Sequence, residues 1–477
     1  HDPQTAWMTR PCTKSDALAR STGDLTMNTM LFVLLASASA ASHPMTFLLP
    51  EDLVDPHGVS QEVQPSQAGL ELETADPQRP KLWYAPVATE THGNHDSVVR
   101  IWYQRVNSAE NEWTDQRTLC LGEIRHGAWN RTKLASQPPA WGGINNVCMR
   151  RSPYKPTWGG FNVFQIIKSD REYRMLYWDQ PSETGQAGAM VAVSTDGNAW
   201  KQEPGTVFTE HNDAFSLLFF NGEYVLYQTA LEDWPEKPYP DNLDKKRRVI
   251  TLRRSKDLRS WTPQEMLLRP DIDDKPETEF YLMKAFRYGS GFAGILMKYY
   301  ADPVLPGKHS AILQNELIVS KDALHWQRPF RTTDVGFWSY ADPVLLQDRL
   351  HFIAWKDGIM RTVAYPANRL IAVCAGNQEG SFATRPFTYR GGPVTLNADA
   401  TNGWIEIEIL DASTQARVAS SQRVENAEGK NIELKFRDEL PQDVSRDFCA
   451  RVRMWNARLF AATFGNAANN GSSRTRR

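Results

Sequence analysis

Four acidic residues stand at the entrances of apolar, strand-like runs. Asp213 precedes one in "EHNDAFSLLFF", and Glu277 and Glu279 lead into another in "PETEFYLMKAF". Asp342 opens a third in "FWSYADPVLL". Glu277 and Glu279 share one side of their strand, because side chains alternate with period two. Carboxyl groups placed this way can serve as proton donor, base or nucleophile once their surroundings push their pKa values apart. The plainer role is a strand-end acid that caps a turn or pairs with arginine. Other chemistries find no footing: there is no nucleotide-binding loop, no CxxC or His spacing for zinc, and no Ser/His/Asp arrangement. The sequence calls for no cofactor and no metal; a structural calcium ion stays open, with no residues in the sequence that mark its site.

The elements that must carry these acids repeat. "AVSTDGNAW", "RRSKDLRSW" and "IVSKDALHW" end at Trp200, Trp261 and Trp326, and "EIRHGAW" is a looser copy ending at Trp129. Short strands at so long a period point to propeller blades rather than helical repeats. Within each interval lies an aromatic, β-branched run: "SVVRIWYQRV", "REYRMLYWD", "GEYVLYQT", "GFAGILMKYY" and "RLHFIAW". Five blades follow, at roughly 82–134, 137–204, 205–264, 265–329 and 330–376. The segment 45–63 is expected to supply the outer strand of the fifth and close the ring, which removes exposed sheet edges. The Trp turn is read first as structural, packing between blades. After residue 376 strictly alternating strands such as "WIEIEIL" predict an antiparallel β-sandwich.

The fold class is therefore all-β: a five-bladed β-propeller over 43–376, a C-terminal β-sandwich over 377–465 and a disordered tail over 466–477. The apolar run "MLFVLLASASA" at 30–40 is too short to span a bilayer and ends at A-x-A spacing. It predicts a secretory signal within 1–42, a secreted or periplasmic protein, and no membrane partner after cleavage. A formal charge of −2 over 477 residues argues against nucleic acid as a partner. Cys120, Cys148, Cys374 and Cys449 follow the signal, and their pairing is open. The basic run "DKKRRVITLRR" at 244–254 suits an exposed strand and its loop as well as an anionic partner. Of the two "ADPV" copies, 301–304 reads as loop and 341–344 as the opening of a strand.

"STDGNAW", "TEFYLMKAF", "FWSYADPV" and the junction "GSFATRPFTYRGGPVTLNADA" give the chain, over about 45–465, a resemblance to the five-bladed propeller glycosidases. These are the superfamily of invertases, levanases, arabinanases and β-xylosidases, the closest likeness being to secreted members with a C-terminal sandwich. The resemblance implies a funnel at one end of the propeller axis, a carbohydrate substrate and a pair of carboxyl groups flanking a glycosidic bond. On this reading Glu279 is the general acid, its pKa raised by Phe280 and Tyr281, and Asp213 is the base or nucleophile. Asp342 positions the sugar or tunes the acid, and Glu277 is the substitute for Glu279. Trp158, His211, Asn212, Tyr281, Lys284, Trp338 and Tyr340 are the expected substrate-binding residues. Lys284 and Arg287, three apart in a strand, must face opposite ways, so one of them alone enters the funnel. Blade 1 departs from the pattern: "LWYAPVA" carries no acid where arabinanases place their base, and the invertase Asn-Asp-Pro-Asn run is absent. The alternatives are a non-catalytic carbohydrate-binding propeller, a sialidase and a glycoside phosphorylase.

Overall fold

The computed structural model describes residues 45–74, 82–92, 98–107, 117–134, 146–169, 172–210, 212–238, 241–302, 304, 311–356, 358–441 and 446–466. The 30–40 run, His211 and residues 467–477 lie outside them. The described chain is built of β-strands, with one short 3-10 turn at Pro50–Asp52.

Five antiparallel sheets follow one another along the sequence as blades. Their first strands are Leu82–His92, Asn162–Lys168, Phe215–Phe220, Thr278–Tyr288 and Val344–Leu346. Blade 1 continues through Val98–Asn107, Thr118–Arg125 and Ala128–Arg131, with Val147–Arg150 added beside the third strand. Blades 2 and 3 are four-stranded meanders ending at Gln202 and Leu268, and blade 4 has three strands ending at Ser320. The aromatic runs read from the sequence are the second strands, buried on both faces: in Gly291–Tyr300 every residue is buried.

Ring closure differs from expectation. The outer strand of blade 5 is Gln67–Thr74, paired with Ile359–Pro366, and not part of 45–63. Within 45–63, the strands Met45–Thr46, Val54–His57 and Val59–Val63 join the C-terminal sheet instead. The closing strand is pinned to blade 1 through Glu73, 3% exposed, which accepts from Arg131 Nε (2.7 Å), Trp129 Nε1 (3.2 Å) and Tyr103 Oη (3.1 Å). A buried carboxylate needs such partners, since leaving one out costs its full desolvation.

The Trp turns are interblade fasteners, as the sequence suggested. In the three turns ending at Trp200, Trp261 and Trp326, a Ser hydroxyl receives the N–H three residues on, and an Asp carboxylate receives the next N–H groups: Ser255 with Leu258, Asp257 with Arg259 and Ser260. The residue between adopts a left-handed φ: Gly197 +74°, Leu258 +67°, Ala323 +63°. That turns its carbonyl outward. Trp102 Nε1 of blade 1 donates to Gly197 O (2.8 Å), and Tyr227 Oη of blade 3 donates to Ala323 O (2.8 Å). Trp261 meets Phe208 edge-on, and Trp326 meets Tyr227.

The C-terminal part is one continuous 11-stranded sheet curled over its own core, rather than two separate sheets. The cause is the strand Gly391–Asp411, whose register shifts between Ala400 and Trp404. Its first half pairs with Ala457–Asn466 and its second half with Asp447–Trp455, so it belongs to both layers. Ile371–Ala375, read as the end of the propeller, is a strand of this sheet. Cys120, Cys148, Cys374 and Cys449 are each buried, and no disulfide forms among the described residues.

Candidate active site at the strand-start mouth of the axis

The first strands of blades 2, 3 and 4 begin at one mouth of the propeller axis, and the residues that lead into them gather there, whereas Asp342, which leads into Val344–Leu346, lies among the far ends of those strands. Asp213 ends the turn before the first strand of blade 3. Its Oδ2 accepts from Gly160 N–H (3.1 Å) and from Asn162 Nδ2 (2.6 Å), both of blade 2. Arg117 Nη1 donates to Asn162 Oδ1 (2.6 Å). With its oxygen turned to a guanidinium, the Asn162 amide must present its NH₂ to Asp213. The close approach depends on Gly159, at φ +66°: a Cβ there would lie 2.6 Å from Asp213 Cβ. Trp158, next in the chain, is 44% exposed, and its carbonyl is held by Trp178 Nε1 (2.9 Å). The exposed indole of the residue just before Gly159 is a flat surface on which a sugar ring can stack.

Tyr340 stands on the other side. Burial pushes its phenol well up, the neighbouring Tyr281 and Asp213 add to this, and Arg117 opposes it. Tyr281 stacks on Tyr299 at 5.8 Å, and Arg248 lies over both rings, 5.3 Å and 4.4 Å from their centroids. Behind them is a sealed ion cluster. Arg248, 1% exposed, donates from Nη1 to Glu279 Oε2 (2.7 Å) and to Asp241 Oδ2 (2.8 Å). Lys237 Nζ donates to Asp241 Oδ1 (2.8 Å) and lies 2.8 Å from Glu279 Oε1 as an ion contact. Two cations and two carboxylates balance. Burial alone would raise the Asp241 carboxyl, but hydrogen bonds from Lys237 and Arg248 win and hold it at about 2.

Each expected site residue can now be placed. Glu279 is fully buried, with both oxygens facing Lys237 and Arg248. Glu277 stays half-buried just ahead of the strand. Asn212 is half-buried, and its carbonyl accepts from Gln228. Trp338 is 7% exposed and belongs to the central apolar core, with its ring 5.3 Å from that of Tyr340.

Asp342 and Lys284 are not in this group. Lys284 is buried among the first strands, while Arg287 is exposed with its guanidinium over the rings of Phe220 and Phe292 and lines the same cavity as Asp342. Lys284, 1% exposed, donates to Gln165 Oε1 (2.7 Å) and contacts Asp342 Oδ1 (2.8 Å). Gln165 Nε2 completes the ring with Asp342 Oδ2 (2.9 Å). Asp342 lines a cavity of about 410 Å³ among the far ends of the first strands, walled by Ile167, Leu217, Phe219, Phe286 and Leu350. Among the described residues, Asp213, Glu279 and Asp342 thus share no hydrogen-bond or ion-pair partner.

Sequence reasoning missed Asn162, Arg117, Arg248 and the Lys237–Asp241 pair. A signal existed for Arg248. It lies within the basic run, whose period-two alternation sends every second residue inward, so the run is not a uniformly exposed strand.

Comparison with protein-family models finds no match, and neither does comparison with curated protein sequences. Among solved structures, the chain is similar to a glycosyl hydrolase from Bacteroides ovatus, at 12% identity over 65% of this chain and 95% of that one, TM-score 0.38. It is also similar to the β-1,2-mannobiose phosphorylase from Listeria innocua, at 8% identity over 62% and 98%, TM-score 0.38. A likeness of that degree assigns neither substrate nor residue roles to this chain.

Proposed function

We propose that the protein is a glycoside hydrolase acting on a poly- or oligosaccharide at the strand-start mouth, with Asp213 as base or nucleophile. The observation that carries this is the cradle of Asp213. A backbone N–H and a side-chain amide converge on one oxygen, Oδ2, which fixes the orientation of the carboxyl group and turns Oδ1 to the reacting group. The exposed Trp158 indole supports a sugar as the ligand. Hydrolysis needs a second carboxyl group to protonate the leaving oxygen. Glu277 takes that role in this reading, because Glu279 is enclosed by two cations and out of reach of a glycosidic oxygen. The secretory reading of 30–40 is part of the proposal and fits an extracellular glycan as substrate.

The test is product release from a panel of plant, algal and microbial glycans, each with and without phosphate. Wild type, Asp213→Asn and Glu277→Gln are compared. Activity independent of phosphate and lost in Asp213→Asn supports the hydrolase. Strict phosphate dependence makes the protein a phosphorylase, and glycan binding without products from wild type makes it a carbohydrate-recognition propeller.

A further inference from the structure

Asp213 owes its place to contacts from blade 2, yet the turn that delivers it belongs to blade 3. The middle strand of blade 3, Glu223–Asp233, carries Gln228 opposite Phe215, with no exposed surface. Its Nε2 donates to two backbone carbonyls of that turn, Glu210 O (3.1 Å) and Asn212 O (2.9 Å). Its own carbonyl accepts from Thr251 Oγ1 (2.9 Å), and Thr251 Oγ1 accepts in turn from Gln264 Nε2 (2.6 Å). The next residue repeats the device: Thr229 N–H donates to Ala214 O (2.9 Å), and Thr229 Oγ1 to Tyr281 O (2.6 Å). The two walls of the mouth, Asp213 and Tyr281, are thereby referenced to one pair of adjacent residues.

We infer that Gln228 is a positioning residue for Asp213, acting through the backbone carbonyls of Glu210 and Asn212 that lead into it. This rests on the reading of Asp213 as the reacting carboxylate. A buried amide is costly unless it is needed, and an apolar side chain opposite Phe215 would pack there at less cost. What an apolar side chain lacks is a donor that joins residues 210 and 212, one on each side of position 211. Loss of that link frees the turn, and a displacement of about 1 Å at a reacting group costs about 10²-fold in rate.

The experiment uses the full chain and the glycan that wild type cleaves. Gln228→Met keeps the side chain's length and removes the donor. It is expected to lower kcat by about 10–100-fold, with KM changed less than threefold. Gln228→Asn, one methylene shorter, keeps an amide that reaches one carbonyl at most, and is expected to fall between. Because Gln228 acts through Asp213, the double variant Gln228→Met/Asp213→Asn should be no slower than Asp213→Asn alone. A merely structural role would lower the unfolding temperature and leave kcat unchanged. Folded Gln228 variants with wild-type kcat, beside an inactive Asp213→Asn, overturn this inference and leave the site reading intact. An Asp213→Asn as fast as wild type overturns both. If Gln228→Met does not fold, Gln228→Asn decides between the same outcomes.

Discussion

Two aspartates line the propeller axis, and their surroundings could hardly differ more. Asp213, at the strand-start mouth, is held by neutral donors, Gly160 N–H and the Asn162 amide. Asp342, among the strand ends, is paired with Lys284, a cation with 1% of its surface exposed. A carboxylate held by neutral dipoles keeps its charge for an incoming group. One whose charge answers a buried ammonium has already used it. The difference assigns chemistry to the first and cohesion of blades 2, 4 and 5 to the second.

Exchange of these two roles would break that contrast, so each variant is measured for both activity and stability. Asp213→Asn is expected to lower turnover by about 10³-fold or more, within the 10²–10⁴ range of a general base. Its unfolding free energy should move by less than about 1 kcal/mol, because an amide still accepts both donors. Asp342→Ala leaves Lys284 buried with Gln165 alone and should cost about 3 kcal/mol in urea unfolding. Its turnover should fall far less than that of Asp213→Asn. Full stability with lost turnover in Asp342→Ala would move the reacting centre to the opposite mouth.

A smaller change sharpens the same comparison without touching either carboxylate. Gly159→Ala places a methyl group 2.6 Å from Asp213 Cβ at a φ of +66°. The left-handed conformation costs about 1–2 kcal/mol for a residue other than glycine. The clash itself is relieved by moving Asp213 off Asn162. Turnover is expected to fall about 10- to 100-fold, as for a group displaced by about 1 Å, with KM little changed. Wild-type turnover in this variant would mean that the cradle is incidental.

How much of this was legible depends on the range of the signal. The aromatic second strands and the three Ser-Asp Trp turns are written in consecutive residues and lie where the sequence put them, and Asp213 and Glu279 stand at the starts of their strands, while Asp342 lies among the far strand ends. What the acids meet is not local. Glu279 carries the same sequence cues as Asp213, an acid leading an apolar strand, but its partners Arg248 and Lys237 lie 31 and 42 residues earlier in the chain. The same blindness misassigned the closing strand. "QAGLELET" has the weaker strand signature of the two N-terminal segments. Its place is fixed by Thr362, which accepts from Leu70 N–H (2.8 Å), and by Arg361, which pairs with Glu71. Those partners stand some 290 residues on. The curl of the C-terminal sheet was hidden for a similar reason, since one strand serves both layers only when its register slips at Ala400–Trp404.

The smallest effect concerns the floor of the strand-start mouth and is read in acid. The Asp241 carboxyl is held at about 2 in the folded protein, against an ordinary value of 3.8. A depressed carboxyl contributes stability in full above the unfolded value and loses it as pH falls through the folded one. Asp241 should therefore stabilise the protein above about pH 4 and progressively less between pH 4 and pH 2. Asp241→Asn is expected to lower stability at neutral pH and to flatten that part of the stability–pH curve, followed by urea titrations at stepped pH. An Asp241→Asn curve that stays parallel to wild type between pH 4 and pH 2 would show that the cluster does not hold the Asp241 charge, and the sealed floor of the mouth would lose its electrostatic basis.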